Sequence, residues 1–182
     1  MTVPASRRQR FEELAAEVYE PLQRYVRRRV VADAVDDVVS ETMTTLWRRL
    51  DDVPQHAALP WTYGVARRQV ANHRRGARRH LRLIQRIEAE PPTAAHSDTP
   101  LDPELESALA ELGESDREIL RLWAWEQLEA AEIATVMGST ANAASIRLHR
   151  AKKKLGENLE SARKNQVPSG HRRGERRKEE RR

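Results

Sequence analysis

Residues 129–155 contain the pattern that most constrains the fold of this chain, two amphipathic segments joined by a short break. The first segment carries apolar residues at Ile133 and Val136, and Gly138 follows, where a helix C-terminus favours a residue that tolerates positive φ. Thr140 then offers a side-chain oxygen that can cap a second helix. This spacing predicts a helix-turn-helix.

The second helix of this pair has a narrow apolar side and a basic side. From Ala144 to Leu155 its apolar residues recur at spacings of four and three, which places them in one stripe. Residues 140–155 contain five Lys or Arg residues and no Asp or Glu. Such a helix can pack closely on its partner and present its basic side to a DNA major groove. The alternative is an ordinary surface helix with solvated charges, but turn, cap, stripe and charge together favour DNA binding.

A second basic block lies at 61–87, where eight arginines occur without an acidic residue. Trp61 and Tyr63 precede these arginines. Aromatic side chains beside arginines are typical of a surface that stacks unpaired bases and follows a phosphate backbone. In the alternative, both aromatics belong to the core and the arginines only keep the chain soluble, and Trp61 alone fits a core better. The uninterrupted positive charge favours nucleic acid as the partner.

Composition argues against several other classes of protein. The 182 residues include no cysteine. This excludes a disulfide framework, thiol catalysis and cysteine-based zinc sites, and it fits a reducing cytoplasm. No apolar run approaches the ~20 residues of a membrane span, and the N-terminus lacks the apolar segment of a signal peptide. Without a Gly-rich loop or a His–carboxylate cluster, we expect no catalytic residue, no metal site and no cofactor.

The remaining periodicity predicts an all-α fold of two small helical domains joined by a flexible linker. Two amphipathic helices are expected before the basic block, with Pro21 kinking or breaking the first and Asp33 capping the second. Two more helices are expected before the helix-turn-helix, the second started by a capping box of Ser115 and Glu118. The predicted boundaries are a helical domain at 1–87, an acidic, proline-containing linker at 88–102, a four-helix domain at 103–160 and a disordered basic tail at 161–182.

The order of these motifs resembles bacterial RNA polymerase sigma factors of the extracytoplasmic-function type, which contain only the second and fourth conserved sigma domains. The resemblance covers about residues 11–158. The matching segments are DAVDDVVSETMTTLW at 33–47, PWTYGVARRQVANHRR at 60–75, DREIL at 116–120, AEIATVMG at 131–138 and RLHRAKKKL at 147–155. The resemblance implies a promoter-specificity subunit that recognises the −35 element and recognises and melts the −10 element, while the polymerase does the chemistry.

The resemblance also implies roles for individual residues. The helix that docks on the polymerase clamp would use Asp36, Asp37, Val39, Glu41 and Trp47. The −10 element would be bound, with a flipped base beside the aromatics, by Trp61, Tyr63, Arg67, Arg68, Asn72 and Arg75. The −35 element would be read by Thr140, Asn142, Ser145, Ile146, Arg147, His149, Arg150, Lys153 and Lys154. Four positions depart from the family pattern. Arg68 stands where Asn is frequent, Ser139 stands where a branched apolar residue is usual, and Ala143 and Ala144 are smaller than usual.

The partners implied by the family are core RNA polymerase, through its clamp and flap, and promoter DNA. The family also suggests an anti-sigma protein, which would cover exposed apolar positions. We expect no membrane insertion and a cytoplasmic location. The first alternative is a stand-alone helix-turn-helix repressor that binds its operator as a dimer, although no additional dimerisation helix is evident. The second is an enzyme acting on nucleic acid, for which the chain offers no nucleophile or metal constellation.

Overall fold

A computed structural model of the protein describes residues 6–84 and 102–166, with side chains for 6–79 and 102–164. Within these ranges all regular structure is helical, which confirms the predicted all-α fold. The predicted linker, apart from its last residue, and residues 167–182 of the predicted tail lie outside the described residues. None of the described helices is long and apolar enough to cross a membrane.

The N-terminal half consists of three α-helices with two 3₁₀ turns between them. These elements are α1 (Arg7–Arg27), a 3₁₀ turn (Ala32–Ala34), α2 (Val35–Arg48), a second 3₁₀ turn (Leu50–Asp52) and α3 (Ala58–Ile84). Pro21 lies inside α1 without ending it, so of the two predicted effects, a kink or a break, the break is wrong. A proline inside a helix costs about 3 kcal/mol. Here the fully buried side chains of Val18, Leu22 and Tyr25 on the same helix offset this cost.

Two predicted helix caps are not formed. The residue that precedes α2 is Ala34, and Asp33 lies within the 3₁₀ turn instead of capping the helix. α5 (Glu114–Ala124) begins after Gly113, so Ser115 and Glu118 lie inside its first turns and make no capping box. The side chains of Ser115 and Glu118 instead contact other helices, as described below.

The C-terminal half contains four helices, as the sequence predicts. They are α4 (Pro103–Ala110), α5, α6 (Ala130–Met137) and α7 (Ala141–Gln166). Pro103 occupies the first turn of α4, and Asp102 caps it by accepting a hydrogen bond from the backbone N of Glu104 at 2.8 Å. Because α7 continues to Gln166, residues 161–166 are helical although the sequence analysis assigns them to the tail.

The turn between α6 and α7 has the predicted helix-turn-helix geometry. Gly138 adopts φ 66° and ψ 44°, in the left-handed region that favours glycine. The backbone N of Ser139 donates to the carbonyl O of Ala134 at 2.9 Å. Thr140 accepts from the backbone N of Ala143 at 3.2 Å and so caps α7. The turn is therefore fixed by local hydrogen bonds.

One apolar cluster extends through both halves of the chain. It joins side chains of α1, α2 and α3 to side chains of the four C-terminal helices. The backbones of α3 and α6 approach each other closely at Gly64, where a Cβ would lie 3.5 Å from the carbonyl O of Thr135. A smaller apolar cluster between α1, α2 and α3 includes Leu14, Leu46 and Ala58. The two halves thus pack against each other in a closed arrangement.

Candidate DNA and polymerase interfaces

α7 presents the predicted −35 residues on one side and its small-residue stripe on the other. Ala144 and Ala151 are almost fully buried, and Leu148 and Leu155 are half-buried against the core. Every predicted reader residue is exposed, namely Thr140, Asn142, Ser145, Ile146, Arg147, His149, Arg150, Lys153 and Lys154. Ala144 and Ala151 let α7 pack closely on the core, while the opposite face of the helix is exposed to solvent. A helix that enters a DNA groove needs such an exposed face.

Two basic side chains of α7 already have partners on α5. The Nη1 of Arg147 donates to the Oγ of Ser115 at 3.1 Å. The Nζ of Lys152 lies 3.4 Å from the centre of the Trp123 ring, a cation–π contact. Among the described residues, Arg150 and Lys154 form no salt bridge. Arg150 is therefore the arginine of this face that is directly available to DNA.

The two aromatic residues predicted to bind the −10 element do not share a pocket. Trp61 is half-buried in the smaller cluster, with the Arg49 guanidinium 5.3 Å from its ring centre. Tyr63 is 3% exposed and stacks on Tyr25, with 4.7 Å between ring centroids. Burial raises the pKa of Tyr63 to about 12, and the negative charge of Glu126 also contributes to this shift. Tyr63 is thus covered in the closed arrangement.

The polar residues of the predicted −10 set lie along α3. Arg68, Asn72 and Arg75 are exposed, and Arg67 is half-buried. Arg75 donates from Nη2 to the Oδ1 of Asn72 at 2.6 Å. The three arginines line a cleft of about 1030 Å³ that opens between the two halves. The three arginines therefore lie at one common cleft, whereas Trp61 and Tyr63 lie in different surroundings.

The predicted clamp-binding residues fall into two groups. Asp36, Asp37 and Glu41 are exposed on α2, and within the described residues none of them has a salt-bridge partner. Trp47 is 41% exposed. Val39 is buried, so it supports the helix from inside the core. The exposed carboxylates give α2 an acidic face without internal partners.

A buried ion cluster joins the two halves and was not predicted from the sequence. Arg29 is 2% exposed, and its Nε and Nη1 lie 3.0 Å from Glu118 and Glu126 respectively. The hydroxyl of Tyr25 also donates to Glu118 at 3.1 Å. The one available signal was that Arg29 follows Leu22 and Tyr25 at helical spacing, on the apolar face of its segment.

The chain matches two family profiles in the predicted order. Sigma-70 region 2 matches residues 11–80, and Sigma-70, region 4 matches residues 103–155. Together they cover about two thirds of the chain. No curated protein matches the chain.

Three solved structures of protein complexes contain a chain with a similar fold. The sigma factor RpoE in complex with the anti-sigma factor NepR from Bartonella quintana is 19% identical with a TM-score of 0.60, over 82% of this chain and 96% of that one. CnrH in complex with the cytosolic domain of CnrY is 25% identical with a TM-score of 0.57, over 86% and 91%. A chain of the PhyRSL–NepR complex from Sphingomonas sp. Fr1 is 15% identical with a TM-score of 0.61, over 92% and 99%.

The fold, the exposed basic helix and the two profiles define a transcription initiation factor that recognises promoter DNA and performs no chemistry itself. The chain belongs to the sigma-70 family as a sigma factor of the extracytoplasmic-function type, with region 2 followed by region 4. Sigma factors bind core RNA polymerase and promoter DNA. The alternatives of a stand-alone repressor and of an enzyme are thereby set aside.

Proposed function

We propose that this sigma factor uses three separate surfaces during initiation, the exposed face of α7 for the −35 element, the polar side of α3 for the −10 element, and α2 for the polymerase clamp. The region 2 unit would extend to residue 87, followed by a linker at 88–102 and the region 4 unit at 103–160. The observation that carries this assignment is the arrangement of α7, in which all predicted reader residues are exposed while Ala144 and Ala151 anchor the opposite side.

For the −35 element, Arg147 and Arg150 are the residues best suited to base edges. Arginine forms bidentate hydrogen bonds with guanine in the major groove, and each such pair contributes about 1–3 kcal/mol of discrimination. Arg147 must first give up its contact with Ser115, whereas Arg150 is already exposed without an ion-pair partner among the described residues. Lys153 and Lys154 are placed to bind phosphates.

For the −10 element, some of the predicted residues can bind DNA in the closed arrangement, whereas others can bind it only after the two halves open. Arg68, Asn72 and Arg75 are accessible without any rearrangement and can follow the backbone of a DNA strand. Tyr63 is buried and stacks on Tyr25 of the same half, and both belong to the apolar cluster that the two halves share, so Tyr63 can stack on a base only after this packing opens. We therefore infer that opening of the two halves accompanies promoter melting.

For the polymerase, the acidic face of α2 fits a basic docking surface. Asp36 and Asp37 lie in the first turn of α2, where negative charge also stabilises the helix. Because these carboxylates have no ion-pair partner in the described part of the chain, a basic partner surface can bind them without breaking an internal contact. Trp47 adds an exposed aromatic at the far end of the helix.

The test is co-migration with core RNA polymerase in size-exclusion chromatography. We compare the wild type with an Asp36→Asn, Asp37→Asn double variant. The matched control is Glu13→Gln with Glu17→Gln, which removes two exposed charges from α1. We expect the α2 variant to leave the polymerase peak while its affinity for duplex DNA stays within about twofold. Equal loss of polymerase binding in both variants would show that net charge, rather than α2, governs docking.

An anti-sigma partner and a cytoplasmic location complete the proposal. Two of the similar structures described above hold NepR and a third holds CnrY. On this chain Tyr19, Val31, Trp123 and Ile146 are large apolar side chains that remain more than two fifths exposed. An inhibitory partner that covered them would also block α7. The cytoplasmic location follows from the polymerase as partner.

A further inference from the structure

The cleft between the two halves is lined by far more positive than negative charge. Nine arginines and two glutamates line a volume of about 1030 Å³. The arginines come from both walls, from the turn after α1 and from α3 on one side and from α5 on the other. This volume is at the upper end of the range typical of small-molecule sites.

The internal carboxylates neutralise only part of this charge. Arg29 and Arg28 are paired with Glu118 and Glu126, and Arg74 is paired with Glu114 at 3.0 Å. The other six arginines of the cleft have no salt-bridge partner in the described part of the chain. The cleft therefore carries a net positive charge that the described part of the chain leaves uncompensated.

Three guanidinium nitrogens of the cleft are buried and have no hydrogen-bond partner among the residues that the structure describes. They are the Nη2 of Arg29 and the Nε atoms of Arg117 and Arg121. A buried donor that makes no hydrogen bond loses its hydration without compensation, so native proteins contain few of them. Burial lowers the pKa of Arg121, and the positive charges of Arg29, Arg117 and Arg74 lower it further against the opposing effect of Glu118. Arg121 thus lies where an additional negative charge is most stabilising.

The N-terminus of α5 also faces this cleft. Gly113 precedes the helix, and no side chain caps it. Glu114 and Ser115, the first two residues of the helix, line the cleft. Free backbone N–H groups and the positive end of the helix dipole favour an anion at such a terminus. The N-terminus of α5 thus adds to the positive potential that the buried guanidiniums create in the cleft.

We propose that the arginine cleft binds a compact anion with several adjacent phosphate groups, of the class of inorganic tripolyphosphate or the phosphate chain of a nucleotide. The planar guanidinium binds phosphate oxygens in bidentate geometry, and the many arginines on the two walls match several adjacent phosphate groups better than a single carboxylate. A ligand that contacts Arg67 on α3 and Arg121 on α5 bridges the two halves. By linkage it stabilises the closed arrangement, in which Tyr63 is covered.

A DNA strand has the same phosphate chemistry, but the geometry favours the smaller anion. A strand that followed α3 would engage Arg68 and Arg75 on one wall of the cleft. The unpartnered nitrogens belong to Arg29, Arg117 and Arg121, which lie deeper and on both walls. A compact ligand reaches both walls at once.

The test is isothermal titration of the full-length protein with inorganic tripolyphosphate at constant ionic strength. We expect one site per chain, and a rise in the unfolding temperature at saturation. Two cleft variants, Arg117→Gln with Arg121→Gln and Arg67→Gln with Arg68→Gln, should each weaken binding at least about tenfold. The control Arg27→Gln with Arg48→Gln removes two exposed arginines outside the cleft and should change affinity less than about twofold.

The Arg67, Arg68 pair keeps the proposal testable if the α5 variant does not fold, because Arg68 is exposed and Arg67 only half-buried. Equal weakening in cleft and control variants, or binding without a defined stoichiometry, would overturn the proposal as general charge attraction. Tighter binding of a short single-stranded oligonucleotide that displaces tripolyphosphate would overturn it in favour of a DNA track. Co-migration with core polymerase, measured on the same variants, reports separately on the proposed sigma function.

Discussion

The Nε of Arg29 lies 3.0 Å from the Oε1 of Glu118, across the boundary between the two halves of the chain. Arg29 also reaches Glu126, so one guanidinium of region 2 is held by two carboxylates of region 4. A buried ion pair gains little net stability over apolar packing, because its charges lose their hydration. When the halves separate, the same charges regain water. The cluster therefore suits an interface that closes and opens.

Replacement of Arg29 by alanine should destabilise the closed protein. It leaves Glu118 and Glu126 close together without their shared partner, and such a loss costs roughly 3–5 kcal/mol. We expect the free energy of unfolding, measured by urea denaturation, to fall by about that amount. The control is Arg27→Ala on the same helix, an exposed position where a change within about 0.5 kcal/mol is expected. Similar losses in the two variants would mean that the ion cluster does not stabilise the packing.

A bulky side chain at Gly64 should force the two halves apart. A Cβ there already lies 3.5 Å from the Thr135 carbonyl O and 3.6 Å from backbone atoms of Val136, so alanine fits and leucine does not. Small-angle X-ray scattering should give a larger radius of gyration for Gly64→Leu and an unchanged one for Gly64→Ala. Gly76→Leu, on the same helix with nothing within 4 Å, is the matched control. An unchanged radius in Gly64→Leu would contradict the closed packing.

Local pattern predicted the elements that depend on local chemistry. The stripe from Ala144 to Leu155 and the turn at Gly138 follow from helical spacing and from the conformational freedom of glycine, and the structure has both. Pro21 shows the limit of such reasoning. A proline inside a helix does destabilise it, but burial of apolar side chains on the same helix outweighs this loss of stability.

The contacts between the halves were beyond sequence reasoning because their partners are distant along the chain. Glu118 looks like the fourth residue of a capping box, yet it binds Arg29, which lies 89 positions away. The same holds within the N-terminal half, where Tyr63 looks like a base-stacking residue from its place before the arginines, while the structure covers it with Tyr25. Periodicity shows which side of a helix is apolar, but it does not show which other helix will cover that side.

Tyr63 should make the stability of the protein depend on pH in alkaline solution. Its pKa of about 12 lies above the ordinary value of ~10. Because the folded pKa is the higher one, the contribution to stability is complete below pH ~10 and is lost as the pH rises through about 12. Tyr63→Phe keeps the aromatic ring and removes this titration. Urea denaturation at pH 8 and pH 11 should therefore show a smaller loss of stability in Tyr63→Phe than in the wild type.

The control for this measurement is Tyr19→Phe, since Tyr19 is 47% exposed and lies outside the packing surface between the halves. Its pH dependence should equal that of the wild type. If Tyr63→Phe and Tyr19→Phe behave alike, Tyr63 is not held in the buried position that the closed arrangement gives it.

Arg150 should determine the affinity of the holoenzyme for a promoter through the −35 element. The residue is exposed on α7, and removal of an arginine that binds a base edge typically costs about 1–3 kcal/mol. We expect Arg150→Ala to weaken binding to a cognate promoter by that amount and to leave binding to a promoter with a scrambled −35 element nearly unchanged. The control Lys164→Ala lies on the same helix beyond the matched region 4 segment and should have no effect. Fluorescence anisotropy with the assembled holoenzyme measures the binding of the wild type and of both variants to both promoters. An equal loss on both promoters would assign Arg150 to the phosphate backbone, and the slope of affinity against salt would then fall by about one.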